Sequence, residues 1–205
     1  MTMQFYYTPM SSATRVHWAL EEVGAPYEKI KIDLAAGDQK KPEFLALNPN
    51  GKIPLLVVDG KPIFESLAIL LFLSERFGVE KGLFPAEIAE RAEAFKWMAW
   101  GSVSIHEAVS RVLRNTSDRF PAEERNAAAG ETAKKELGEM LSILDRHLDG
   151  KEHMLGAGFS LVDVSLVAYM PFLGRLGVDL NPHKHLNAWV GRGMSRPALG
   201  RAMMG

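Results

Sequence analysis

The spacing of apolar residues changes character along this chain, and each change predicts an element. Met3–Tyr7, MQFYY, is aromatic and β-prone and stops at Pro9, so it reads as a buried first strand. Val16, Ala19, Leu20 and Val23 then fall at i, i+3, i+4 and i+7, a helical face that Ser11 or Ser12 can cap and that Gly24 and Pro26 end. Residues 27–32 return to a strand pattern, 33–41 form a polar loop, and Pro42 opens a short helix through Leu47. The turn residues Asn48, Pro49, Asn50 and Gly51 precede two short apolar strands, Leu55–Val58 and 63–64, joined by Asp59-Gly60, a strong hairpin signal. Helical spacing resumes at Ser66 and runs to Phe77 with apolar residues on more than one side, so this helix is expected to be covered on two sides.

The order β-α-β-α-β-β-α within the first 78 residues predicts one mixed sheet flanked by helices. GVEKGLFP, at 78–85, breaks the pattern and fits a linker. Everything after it reads as helix. Residues 86–114 carry Trp97, Trp100, Ile105, Val109 and Val112, and 121–148 carry Leu137, Met140, Leu141, Leu144 and Leu148 at spacings of three and four. A turn is expected at 156–158. Ser160 with Asp163 forms an N-capping pair before a helix that is apolar all round and is therefore expected at the centre of a bundle. Shorter helices around Leu186, Trp189 and Val190 and over Pro197–Met204 close the chain. The expected domains are 1–78, a linker at 79–86, and an all-helical 87–205.

Composition narrows the chemistry. The 205 residues, 47% of them hydrophobic, suffice for two modest cores. Lys and Arg number 24 against 25 Asp and Glu, a net charge of -1 that gives no long-range attraction to nucleic acid or an anionic membrane. No cysteine is present, which removes disulfides, thiolate metal sites and every protein-thiol mechanism. His183 and His185 do not share a helix face and have no third ligand in view, so no metal is assigned. The opening residues lack a basic region and an apolar core, and no apolar run reaches membrane-spanning length, so a cytoplasmic protein is expected.

Pro54 stands at the mouth of a strand, where it forfeits a ladder donor and where a cis bond is tolerated, leaving the Ile53 backbone open to a partner. Together with Glu65-Ser66 at a helix start, the linker, and the segments SSATRVHWALEE (11–22), LALNPNGKIPLLV (45–57), FESLAILLFL (64–73) and FSLVDVSL (159–166), the whole chain resembles the cytosolic glutathione transferases, with serine-type, theta- and phi-like traits and some zeta-like ones. The resemblance implies an α/β, thioredoxin-like first domain, a cis-proline at Pro54, a capping box at Ser160 and Asp163, a helical second domain, a homodimer, and glutathione as co-substrate with no permanently bound cofactor.

Glutathione carries an amine and carboxylate at its γ-glutamyl end, a central thiol, and a glycine carboxylate. The start of the helix at Ser66 offers a hydroxyl and free N–H groups to the γ-glutamyl carboxylate, and Glu65 faces the amine. Ile53 would exchange backbone hydrogen bonds with the peptide's cysteine, a one-residue form of strand addition. Lys40 and Lys52 lie on loops bordering the same groove and suit the glycine carboxylate, while Gln39 stands where such proteins often have a histidine. Ser11, with Ser12 as alternative, occupies the position from which serine-type members donate a hydrogen bond to sulfur; Tyr6 and Tyr7 lie in the first strand and fit that role less well. The second substrate is expected to be a small apolar electrophile, with Met10, Trp100, Ile105 and His106 as candidates on its side. For Trp100 and Ile105, helix packing is the competing role. Two further readings compete with conjugation: a zeta-like cis-trans isomerase, suggested by the double serine and Ile105-His106, and a binding module that keeps the fold without catalysis.

Overall fold

The computed structural model describes residues 1–156 and 158–204, and the chain divides into two compact units. The first comprises Met1–Phe84 together with the chain from Ser195 on, and the second is Pro85–Met194.

In the first unit, β1 (Met3–Tyr7), β2 (Glu28–Lys31), β3 (Leu55–Val58) and β4 (Lys61–Phe64) form one sheet in the order β2-β1-β3-β4. β1 pairs parallel with β2 and antiparallel with β3, and β3 pairs antiparallel with β4. The hairpin turns at Asp59 and Gly60, both at positive φ (47° and 78°), as the handedness of a tight hairpin requires. α1 (Ala13–Val23) is stopped by Gly24 in the left-handed region (φ 62°), whose N–H returns to Leu20 O at 3.0 Å. α2 (Pro42–Leu47) and α3 (Ser66–Leu73) complete the α/β, thioredoxin-like unit. Phe5, Val16, Leu20, Leu55, Leu56, Ile69 and Leu70 are wholly buried and form its core.

The second unit is helical: α4 (Ile88–Trp100), α5 (His106–Thr116), α6 (Ala127–His147), α7 (Leu161–Val167), α8 (Met170–Arg175) and α9 (Lys184–Met194). Three of the expected helices are interrupted. Ser74–Gly78 and Gly101–Ile105 are π-helical segments, the first ending α3 early and the second dividing the helix expected over 86–114. Close packing marks the second break: a Cβ on Gly101 would collide with Leu166 Cδ2, so only glycine allows α7 that near. The all-apolar helix expected after Ser160 divides into α7 and α8, with Pro171 in the first turn of α8, since proline supplies no N–H to continue the ladder. The turn expected at 156–158 includes Gly156 and Gly158 at positive φ, and Ala157 lies outside the described residues.

Ser160 and Asp163 form a capping box at the start of α7. Asp163 is wholly buried, and its carboxylate accepts from Ser160 N (2.8 Å), Ser160 Oγ (2.7 Å), Met154 N (2.9 Å) and the Trp189 indole (2.7 Å). A buried charge of this kind survives because every oxygen is used.

The sequence-based boundary places the final helix in the second domain. The contacts place α10 (Pro197–Met204) in the first unit, packed along α1. Arg196 and Arg201 hold it there through Glu22 and Glu21, pairings between distant charges that no local periodicity reveals. Among the described residues no helix is long and apolar enough to cross a membrane.

Candidate functional site

The site is built in the first unit, where three turns meet at one end of the sheet. The first joins β1 to α1. Thr8 Oγ1 donates to Ile32 O (2.5 Å), tying the end of β1 to the residue after β2. Met10 follows at φ 54°, and it leaves the side chain 77% exposed. The Ser11 hydroxyl donates to Thr8 O (2.6 Å) and accepts from Ala13 N (3.1 Å), so its oxygen is fixed in a local turn. Ser12 is exposed, and its hydroxyl lies 3.4 Å from Ile53 O. That contact spans 41 residues of sequence and sets the start of α1 beside the second turn.

The second turn precedes β3, and the Ile53–Pro54 bond is cis. Asn48 organises it. Its side chain is 2% exposed, donates to Lys52 O (2.6 Å), and accepts from Asn50 N (3.1 Å) and Asn50 Nδ2 (3.2 Å). In the sequence Asn48 reads only as a turn former; the signal that marks it as an organiser is burial, which local composition does not carry. Gly51 (φ 58°) is the other residue whose role the local sequence does not show. A Cβ there would lie 2.8 Å from Lys40 Nζ and 2.9 Å from Gln39 O, so the glycine is what lets the 38–40 loop close over this turn. Lys40 and Gln39 are thereby brought against the turn whose next residue is Lys52. Asp38 braces the loop through Lys41 (2.7 Å) and Asp33 N (2.9 Å), so Lys41 is committed to structure. The Gln39 amide nitrogen lies 3.4 Å from Leu34 O, while its buried Oε1 accepts no hydrogen bond among the described residues.

The third turn joins β4 to α3. Glu65 sits at φ 70°, ψ 118°, a region that costs a non-glycine residue about 1–3 kcal/mol and that recurs where a side chain must be held in one direction. Its side chain is exposed, and Ser66 behind it is 7% exposed at the first helical position. The opening N–H groups of α3 have no acceptor within the helix, which favours an anion there, with a carboxylate alongside to receive a cation.

Tyr6 and Tyr7 are placed otherwise. The Tyr6 ring meets Phe44 edge-on at 5.9 Å, and burial, with Glu28 nearby, pushes its pKa above the ordinary phenol value. Tyr7 is 6% exposed and stacks on Phe5 at 5.5 Å. Both belong to the sheet.

Of the residues expected on the apolar-substrate side, Ile105 requires correction. It is wholly buried inside the helical unit and presents no surface to a ligand. Trp100 meets Trp97 edge-on at 5.5 Å, and His106 is exposed with its ring 6.0 Å from that of Tyr169. Among the described residues no cluster of three or more potential metal ligands occurs.

Comparison with known proteins follows the same division. Residues 1–75 match the glutathione S-transferase N-terminal domain and 103–197 the glutathione S-transferase C-terminal domain. Glutathione S-transferase GstB of Escherichia coli is 32% identical over 196 residues, 95% of this chain and 93% of that protein. The disulfide-bond oxidoreductase YfcG of the same species is 29% identical, covering 98% and 94%. A glutathione transferase from Burkholderia graminis, solved with two glutathione molecules bound per subunit, superimposes with a TM-score of 0.88 at 29% identity, covering 98% of this chain and 87% of that one. The chain belongs to the glutathione S-transferase family.

Proposed function

We propose that this protein binds glutathione across the three turns, holds its sulfur at the start of α1, and transfers the thiolate to small, largely apolar electrophiles. The observation that carries this reading is the approach of Ser12 to Ile53 beside the cis-proline, which sets the start of α1, with Ser11 next to Ser12, against the backbone that would take a short peptide. Glu65 and the opening of α3 take the γ-glutamyl amine and carboxylate. Lys40 and Lys52 take the glycine carboxylate.

Ser11 donates to sulfur once its hydroxyl turns from Thr8 O, while Ala13 N continues to hold the oxygen. A free thiol of pKa roughly 8.5 is about 3% ionised at pH 7, and a downward shift of about two units makes thiolate the major form. One hydroxyl and the N-terminus of α1 are sufficient donors for such a shift. No protein base and no covalent enzyme intermediate are needed. A homodimer fits the exposed apolar side chains Phe64 (38%) on the first unit and Ile88 (82%), Phe95 (38%) and Val103 (66%) on the second.

A second reading rests on the oxidoreductase relative and on the Burkholderia structure with two glutathiones. With no cysteine of its own, this chain would run disulfide exchange between small molecules. One glutathione thiolate attacks a substrate disulfide and releases a thiol, and a second attacks the mixed disulfide, giving glutathione disulfide and the second thiol.

The test is glutathione binding by calorimetry followed by turnover on an aryl halide, an epoxide, maleylacetoacetate and 2-hydroxyethyl disulfide. Conjugation of the aryl halide or epoxide supports transfer. Turnover confined to the disulfide selects the second reading, turnover confined to maleylacetoacetate selects an isomerase, and absence of binding overturns all three.

A further inference from the structure

The helical unit holds a cleft of about 780 Å³, open to solvent and framed by the last turn of α5, the segment after it, and α8. Its size lies within the range of small-molecule sites. Leu113, Phe172 and Leu176 supply its apolar wall, and Arg119 and Arg175 stand at its border.

The charges there are unequal in availability. Asp118, the one carboxylate on that border, is paired with Arg125 at 2.6 Å and points into solvent, its side chain 98% exposed. The guanidinium groups of Arg119 and Arg175 form no ion pair or hydrogen bond among the described residues. Both arginines are exposed, so two permanent positive charges stand in water beside a partly apolar wall. A net charge of -1 gives the chain no general attraction for anions, so whatever the cleft selects is selected by these groups at short range.

We propose that this cleft binds an aromatic carboxylate, its ring against Phe172 and Leu176 and its carboxyl group between Arg119 and Arg175. The guanidinium fork matches a carboxylate in shape and charge, and the phenyl ring of Phe172 offers an aromatic partner its preferred geometries. The site uses none of the residues that hold glutathione, so its occupancy stands apart from the thiol chemistry and is measured without glutathione present.

The experiment is calorimetric titration of the full chain with 1-naphthoate and with the neutral isostere 1-naphthamide at low and moderate salt. Naphthoate is expected to bind one site per chain at least about tenfold more tightly than the amide, the equivalent of one good charged contact, with the preference shrinking as salt rises. Arg119→Gln/Arg175→Gln is expected to bring the acid down to the amide's affinity, Arg119→Lys/Arg175→Lys to retain part of the preference, and Phe172→Ala to weaken both ligands. The arginines are exposed, and an unchanged melting temperature verifies that their variants fold. Equal affinity for acid and amide, or a preference that survives the double glutamine variant, overturns the proposal.

Discussion

The Arg196 guanidinium grips both carboxylate oxygens of Glu22, with Nε 2.5 Å from Oε1 and Nη2 2.7 Å from Oε2, and joins the end of the chain to α1. Glu22 also accepts from the Trp18 indole at 2.9 Å, and its side chain is only 5% exposed. A bidentate pair of this burial is stronger than a surface contact, and removing one partner leaves the other poorly solvated. Arg196→Ala is expected to lower stability by about 1–3 kcal/mol. Urea denaturation measures it. The neighbouring Arg201 is 51% exposed, so Arg201→Ala should change stability by less than about 1 kcal/mol.

Asp163 is the most heavily used side chain in the helical unit. Asp163→Asn presents an amide hydrogen to donors that need an acceptor, and is expected to destabilise by about 3 kcal/mol or more, with the near-ultraviolet signal of Trp189 changed. Trp189→Phe removes one of the four donors and should cost less. Equal losses in the two variants would show that the network is not centred on the carboxylate.

Gly51 is expected to couple stability to glutathione binding. Gly51→Ala adds a Cβ at φ 58° against the Gln39 carbonyl and Lys40. A stability loss of about 1–2 kcal/mol is expected from the left-handed backbone. Glutathione affinity should fall several-fold as Lys40 is displaced, measured by calorimetry, with kcat changed less than KM.

His17 governs one pH dependence. It is 3% exposed and lies within 5.5–5.9 Å of the rings of Phe5, Tyr7 and Tyr27. Burial, aided by the Lys29 charge, holds its pKa below the ordinary imidazole value, against the opposing influence of Glu21 and of the Ala202 backbone. A lowered histidine pKa means that the unfolded chain takes up this proton first as pH falls. The stability it contributes is therefore complete above roughly pH 6.5 and is lost as pH falls through the unfolded value toward the folded one. Urea midpoints between pH 7.5 and 5 should decline for the native chain and decline less for His17→Gln. Parallel curves would assign the decline to other groups.

The strands, α1, α2 and the hairpin were legible because each rests on local features: period, Gly24, Pro42, Asp59-Gly60. The breaks at 74–78 and 101–105 were not. Gly101 looks tolerable in a helix until Leu166 is seen against it, a contact made by tertiary packing. The attachment of α10 to α1 depends on Glu21 and Glu22 meeting arginines about 175 residues away, which leaves no periodic trace. In the candidate site, Pro54, Glu65 and Ser66 are marked in the sequence by residue type and position. Asn48 and Gly51 act through burial and close approach, which only the folded chain displays. Ile105 shows the opposite failure, since an apolar residue reads the same in sequence whether it lines a pocket or fills a core.

In the proposed mechanism Ser11 lowers the thiol pKa of bound glutathione. It is tested by titrating the thiolate absorbance near 240 nm of the saturated complex against pH, for the native chain, Ser11→Ala and Ser12→Ala. A bound-thiol pKa about two units below the free value of roughly 8.5 is expected in the native chain and in Ser12→Ala, returning most of the way toward it in Ser11→Ala. A bound thiol that titrates at its free value in the native chain, or a lowered value untouched by Ser11→Ala, would contradict it.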